Sequence, residues 1–245
     1  MSLKSFQLAL AEIISSPLTG RAYRENPGLL EQKYTLTPRE QNRLLSMLAQ
    51  KGMRANYMLY QTNRMTPLSM FMPYTLKLVR ARAIALAQEF WAAHPRTAFQ
   101  FMDEVALFSA FLKKKVQAGL LSAPCLEDII CLEDAINHIR FRNNAAPAEG
   151  SRYSLHPLVR VVQVTADPEQ LTAAMAAFDP AGPPPDVPDA KGHYLLKYDK
   201  RLWFHAIGPS LAAALSLAQP VTAVPAELVR LGFFLPVSPS VPTGA

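Results

Sequence analysis

The chain has 245 residues, of which half are apolar and 18% are charged, and this balance excludes a disordered or collagen-like protein. Its net charge is +6 and its pI is about 9.4, so the bulk electrostatics favour an acidic partner. Ten glycines against 21 prolines indicate helices joined by proline-containing connections.

Two cysteines and the N-terminal pattern bear on the compartment. Cys125 and Cys131 are six residues apart and face different sides of one predicted helix, so we expect free thiols in a reducing environment. The N-terminal residues follow an amphipathic helical pattern rather than a signal peptide. The longest uncharged stretch, 202–226, contains Pro209 and Pro220, which leave no piece long enough to span a bilayer. We therefore expect a cytoplasmic protein without a membrane partner.

Charge divides the chain near residue 150. Residues 1–150 carry 18 basic and 12 acidic side chains, hence +6, whereas residues 151–245 carry seven of each, hence zero. A linker-like run at 143–151 coincides with this change. We predict a helical bundle domain at 1–147, a second domain at 151–238 and a flexible tail at 239–245.

Apolar residues recur with helical period throughout the first part. Thr37 and Glu40 form a capping-box motif at the start of one helix, and Pro67, Pro73 and Pro95 punctuate the later pattern. The pattern predicts helices at 5–14, 37–48, 53–64, 74–94, 99–118 and 126–142. Helices with such short connections are typical of a bundle.

The second part mixes strands and helices. A β-branched run at 159–164 predicts a strand, and the segments 193–198 and 202–206 predict a hairpin around 199–201. Short helices are expected at 168–178, 210–218 and 226–231, and a proline-rich loop at 179–191. The fold class is therefore α+β, mostly α, with a helical bundle followed by a small winged-helix-like α/β domain.

Residue patterns for catalysis are missing. The five histidines show no metal-ligand spacing, and there is no Cys-x-x-Cys, phosphate-binding glycine loop or nucleophile elbow. Glu127, Asp128, Glu133 and Asp134 fall in one helix, where they predict a solvated face beside a core face. We expect no catalytic residue, no metal ligand and no cofactor in this chain.

A polar helical stretch is the most informative segment. It carries more hydrogen-bonding side chains than an apolar core face and fewer charges than a solvated face. One interpretation is an intramolecular network that ties this helix to the next one. The other is a contact surface for a partner or substrate, formed by Arg54, Asn56, Tyr57, Tyr60, Gln61, Asn63 and Arg64.

Several short motifs follow one another along the chain. They are Tyr60-Gln-x-Asn63-Arg64 with Leu68 and Pro73, Leu126-x-x-Ile129-x-x-Leu132-Glu133-x-Ala135, His156-Pro157-x-Val159-Arg160, Tyr194-Leu-Leu-x-Tyr198 and Leu231-Gly-Phe-Phe234. In their order and spacing, these motifs resemble a bacterial family once catalogued as DNA-binding proteins, whose genes neighbour those of multinuclear non-haem-iron oxidases. The similarity covers most of the chain, although Gln61 stands where the family usually has arginine.

The resemblance implies a function in peptide natural product biosynthesis, as in methanobactin or thiaglutamate pathways. Such proteins form a heterodimer with the oxidase, which holds the iron, and recruit the leader of a ribosomal precursor peptide whose cysteine is modified. The leader would add as a strand to a sheet edge of the second domain. The expected peptide-binding residues are His193, Tyr194, Leu195, Leu196, Lys197, Tyr198, Leu228 and Leu231. Alternatively, the proline-rich loop simply covers this hairpin.

A DNA-binding regulator with a winged-helix-like domain is the alternative function. The high pI favours it, but the candidate domain has no net charge, and its last helix offers only Arg230 to a major groove. We therefore do not expect nucleic acid as the partner.

Overall fold

The computed structural model describes residues 3–94, 101–141 and 148–237. These residues form a mixed α+β structure that is mostly helical, with a small β part of five strands, which confirms the fold class. None of their helices has the length and apolarity needed to cross a membrane. Most of the linker expected at 143–151 and the whole tail expected at 239–245 lie outside the described residues.

Two compact units make up the chain, one of residues 1–70 and 81–108 and the other of residues 71–80 and 109–245. This grouping differs from the division near residue 150 because the helix before that point packs against the sheet after it. That 1–147 and 151–238 are separate domains stays a prediction.

The first unit is built from helices. It contains α1 (Leu3–Ser15), α2 (Pro17–Glu25), α3 (Gly28–Lys33), α4 (Pro38–Leu48) and most of α5 (Lys51–Phe71). The capping box at the start of α4 forms, because Thr37 Oγ1 accepts from the Glu40 backbone and the Glu40 carboxylate accepts from the Thr37 backbone. The buried residues that these helices share are Ala9, Ile13, Tyr23, Leu30, Tyr34, Leu44, Leu48 and Met53.

The single helix expected at 74–94 is wrong. The chain instead forms α6 (Pro73–Val79), a 3-10 turn at Arg80–Arg82 and α7 (Ala83–Ala93). Arg80 adopts φ 49° and ψ −123°, which ends the run of helical hydrogen bonds. The apolar residues follow a helical period on both sides of Arg80, so this pattern does not reveal a single residue with a positive φ. α8 (Phe101–Gln117) follows.

The second unit packs a helix and small helices around two antiparallel sheets. α9 (Leu126–Phe141) precedes β1 (Tyr153–Leu155), β2 (Val159–Ala166) and α10 (Pro168–Ala177). The expected hairpin is confirmed as β3 (Asp189–Asp199) and β4 (Arg201–Ile207), with Lys200 at φ 58° in the turn. α11 (Pro209–Ser216), α12 (Ala226–Arg230) and β5 (Phe234–Pro236) complete the unit, in which β1 pairs with β5.

The larger sheet has the strand order β2–β3–β4, so β3 is its central strand. Leu195 lies opposite Val161 and His205, and its face of the sheet covers an apolar cluster that includes Leu228 and Phe233. We call this the core face. The opposite face carries Tyr194, Leu196 and Tyr198, because successive side chains alternate along a strand, and we call it the Tyr198 face.

Candidate functional site

The polar stretch on α5 is divided between an inward and an outward side. Arg64 is buried, Tyr60 and Gln61 are half-buried, and Asn56 and Asn63 are exposed. On a helix with 3.6 residues per turn, these side chains apart from Gln61 spread over a sector of roughly 100°, and burial increases across it toward Arg64. The segment therefore has an inward side, which forms an internal network, and an outward side, for which a role as a contact surface stays a prediction. The side chain of Arg54 lies outside the described residues.

Arg64 is the centre of the internal network. Its Nε donates to Glu104 Oε1 on α8 at 2.8 Å, and its Nη2 donates to the backbone oxygen of His94 at 3.1 Å. Trp91 Nε1 donates to the same carboxylate oxygen at 3.0 Å, and the guanidinium lies 5.4 Å from the Trp91 ring centre. Tyr60 accepts from Arg64 Nη1 at 3.4 Å. This side chain ties α5 to α7 and α8, so its intramolecular role is the one that the structure supports.

Tyr57 belongs to the core rather than to a surface. It packs against the apolar cluster of the first unit, and its hydroxyl is buried without a hydrogen-bond partner among the described residues. Gly20 on α2 makes this contact possible, because a Cβ there would lie 2.1 Å from the Tyr57 hydroxyl oxygen.

The outward side of α5 is uncharged and exposes several large apolar side chains. Met58, Leu59 and Met70 are each more than 60% exposed, and between residues 55 and 71 the only charged residue is the buried Arg64. Exposed Asn56 and Asn63 lie on the same side as Leu59, three and four residues away. An exposed helix face without charge is unusual for a solvated surface and typical of a protein contact.

The structure corrects the expected peptide site on β3. Both sides of this strand are already paired, with β2 and β4, so no guest strand can hydrogen-bond to it. Leu195 and Leu196 are fully buried on opposite faces, and Leu228 is buried in the core cluster. The alternating pattern correctly predicts a strand. It does not show that β2, which is distant in sequence, pairs with this strand and makes it central.

The other residues expected at this site are more accessible. His193, Tyr194, Lys197 and Tyr198 are half-buried, and Leu231 is 43% exposed. Tyr194 donates its hydroxyl to the Ala190 oxygen at 2.9 Å. Lys197 Nζ donates to the Leu231 oxygen at 3.1 Å, which links β3 to the end of α12.

The free edge of the sheet is β4. The Tyr198 backbone N–H donates to the Leu158 oxygen, on the β2 side, so the neighbouring residues of β3 direct their backbone groups toward β4. Lys197 and Leu195 thus form the hydrogen-bonded pairs with Trp203 and His205. The N–H and C=O groups of Leu202, Phe204 and Ala206 consequently point away from the sheet. No hydrogen bond joins these groups to any part of the chain that the structure describes.

The opposite edge is partly covered. Asp128 on α9 accepts from the backbone N–H groups of Thr165 and Ala166, both at 2.9 Å, and from the Thr165 hydroxyl at 2.7 Å. α9 also packs along β2. Of the two edges, β4 is therefore the one open to a further strand.

The surface beside β4 is basic and partly aromatic. Lys197, Lys200 and Arg201 outnumber the single acid Asp199 along 197–207. The Arg201 guanidinium lies 3.8 Å from the ring centre of Trp203, which is 45% exposed. This edge suits an extended segment that carries acidic side chains.

Two buried carboxylates replace part of the solvated face expected on α9. Asp128 is buried at the end of β2, and Glu133 accepts from the backbone N–H groups of Tyr74 at 2.7 Å and Thr75 at 3.0 Å. These donors belong to the first turn of α6, so Glu133 caps that helix. Burial raises the pKa of Glu133 to about 7, although hydrogen bonds from Thr75 and Tyr74 oppose the shift.

Metal-ligating and nucleophilic groups do not converge in the described ranges. No group of three or more His, Cys, Asp or Glu side chains there could hold a metal ion. Cys125 and Cys131 are both free, and burial raises the pKa of each thiol. For Cys125 the carboxylates of Asp128, Asp189 and Asp186 raise it further. Both thiols therefore resist ionisation to the nucleophilic thiolate.

No protein-family model matches the chain, and no curated protein sequence matches it at a significant level.

Proposed function

We propose that this chain is a non-catalytic subunit that binds a ribosomally made precursor peptide and presents its cysteine to a multinuclear non-haem-iron oxidase. The observation that carries the peptide-binding part is the row of outward backbone groups on β4, at Leu202, Phe204 and Ala206. The resemblance of the sequence motifs supports the oxidase partner, and the two free cysteines and the N-terminal helical pattern support a cytoplasmic setting. On this proposal the pair is a heterodimer, and the iron belongs to the partner.

The peptide leader would pair with β4 as a fourth strand. Such addition gains affinity from backbone hydrogen bonds and selectivity from side-chain contacts. Exposed Trp203 and the basic residues beside it, Arg201 and Lys200, favour a leader with aromatic or apolar residues and acidic ones. The proposed peptide site is therefore on β4, the strand next to the one expected from the sequence.

Ala206→Pro tests this edge without breaking the sheet. The N–H of Ala206 points away from β3, so proline removes a donor only from the guest and places its ring in the guest's path. We expect the affinity for the precursor peptide encoded with the oxidase to fall by at least about tenfold, measured by fluorescence anisotropy.

Ala206→Thr is the matched control, because it also enlarges an exposed side chain but keeps the N–H. We expect it to bind the peptide as the parent protein does. Circular dichroism establishes that both variants are folded. Equal affinities for the two variants would remove β4 from the proposal.

The oxidase would contact the outward side of α5, around Asn56, Leu59 and Asn63. Leu59→Asp places an unpaired charge on this face, and burying it in an interface is costly. We expect co-purification with the co-expressed oxidase to be lost while the variant stays folded, since Leu59 is 62% exposed.

Ile84→Asp on α7 is the control for that experiment, because Ile84 is 65% exposed and lies on another helix. It should leave the heterodimer intact. If both variants co-purify as well as the parent protein, the oxidase does not contact this side of α5.

A further inference from the structure

Arg160 on β2 has an unsatisfied guanidinium. Its Nη1 donates at 2.7 Å to the oxygen of its own neighbour Val159, while its Nη2 is buried without a hydrogen-bond partner in the described part of the chain. Burial lowers the pKa of this side chain. A buried N–H group without an acceptor is costly, and more so on a charged group, so such a group calls for an acceptor.

Arg140 on α9 places a second guanidinium at the same end of the sheet as Arg160. α9 runs along β2 and is anchored near its far end, where Asp128 meets Thr165. Arg140 is 12 residues further along α9, about 18 Å at 1.5 Å per residue. Arg160 is five residues back along β2, about 17 Å at 3.4 Å per residue. Arg140 and Arg160 therefore lie at similar distances from the contact between Asp128 and Thr165.

Tyr198 confirms this placement. The Arg140 guanidinium lies 5.4 Å from the Tyr198 ring centre. Arg160 is paired with Leu196, two residues from Tyr198 on the same face, so Arg160 and Tyr198 are diagonal neighbours within reach of long side chains. Arg160 and Tyr198 are half-buried and Arg140 is exposed, so the cluster opens to solvent.

No carboxylate of the described residues forms an ion pair with either arginine. Two guanidinium groups that share a neighbour repel one another, and an anion between them relieves this repulsion. The planar fork of arginine binds a carboxylate through two parallel hydrogen bonds, and the Tyr198 hydroxyl is a third donor. A carboxylate that draws the Arg160 guanidinium outward would also release its unsatisfied Nη2.

We infer that Arg160, Arg140 and Tyr198 form a carboxylate-binding site on the Tyr198 face that takes a glutamate or aspartate side chain of a bound peptide. The inference rests on the proposed function only for the choice of a peptide as the carrier. Arg160 is on β2, at the opposite edge of the sheet from β4, so the site is tested separately.

The test is a titration of the arginine side-chain N–H resonances of the full chain by nuclear magnetic resonance. The probes are acetyl-Ala-Ala-Glu-Ala-Ala-amide, the same peptide with glutamine in place of glutamate, and inorganic phosphate. We expect the glutamate peptide to shift the resonances of Arg160 and Arg140 saturably. The glutamine peptide should bind about tenfold more weakly, the factor expected for one charge-assisted hydrogen bond.

Two variants separate binding from a structural role. Arg160→Met should abolish the saturable shift at Arg140, while Arg152→Met, which removes an exposed arginine elsewhere in the unit, should leave it unchanged. If Arg160→Met does not fold, Arg160→Lys, which keeps the charge without the fork, should weaken binding about tenfold.

Three results would overturn the inference. They are equal shifts by both peptides, no saturable shift by either peptide, and tighter binding of inorganic phosphate than of the glutamate peptide. Ala206→Pro should not alter the Arg160 response, so a failure at β4 and a failure here are distinguishable.

Discussion

Replacing Glu104 with alanine is expected to lower the free energy of unfolding by about 3–5 kcal/mol, the usual cost of removing one member of a buried ion pair. Glu104 is 4% exposed and Arg64 is 8% exposed. The substitution removes the carboxylate that accepts from both Arg64 and Trp91, so a buried guanidinium loses a counter-charge within hydrogen-bond distance. Urea denaturation measures the loss.

A double variant distinguishes the ion pair from simple packing. Arg64→Met combined with Glu104→Leu removes both charges and retains apolar volume, so it should cost less than Glu104→Ala alone. Glu31→Ala on the surface of α3 should change stability by less than about 1 kcal/mol. If Glu104→Ala costs no more than that surface change, the pair does not hold α5 to α8.

Glu133 should make the stability of the protein depend on pH between about 4.5 and 7, its pKa values in the unfolded and folded states. In this range the folded protein retains a proton that the unfolded chain releases, so stability falls as the pH rises. The total loss is about 3 kcal/mol, from roughly 1.4 kcal/mol for each pKa unit. Below and above this range the group contributes no further change.

Glu133→Gln is the matched variant, because it has the same shape and does not titrate. Between about pH 5 and pH 8, the parent protein should lose roughly 2.5 kcal/mol more stability than Glu133→Gln. Carboxylates with lowered pKa values, such as Glu12, remain in both proteins and cancel in the comparison. Parallel pH curves for the two proteins would show that Glu133 is ionised in the folded state.

The local elements of this fold were predictable from the sequence because their signals are local. The Thr37–Glu40 capping box and the β3–β4 hairpin form at the expected positions, since each depends on residues only a few positions apart. The short helices α2 and α3 were not predicted from the sequence. They contribute only two buried residues, Tyr23 and Leu30, to the apolar core of the first unit, which is too little for a periodic pattern.

Strand order and buried polar contacts were not predictable, because they depend on distant pairings. β3 is central only because β2, about 35 residues earlier, pairs with it. Arg64 is separated by 40 residues from Glu104, and Glu133 by 58 from Thr75, so no spacing rule connects them. The motif around Tyr60 therefore indicated a polar role but not which side chains face inward.

Hydrogen exchange along β4 tests the peptide-binding claim most directly. Backbone amides of Trp203 and His205 face β3, whereas those of Leu202, Phe204 and Ala206 face outward. When the precursor peptide is added, exchange at the three outward amides should slow by at least about tenfold, while the inward amides remain as protected as before. Unchanged exchange at all three outward amides with the peptide bound would contradict strand addition at this edge.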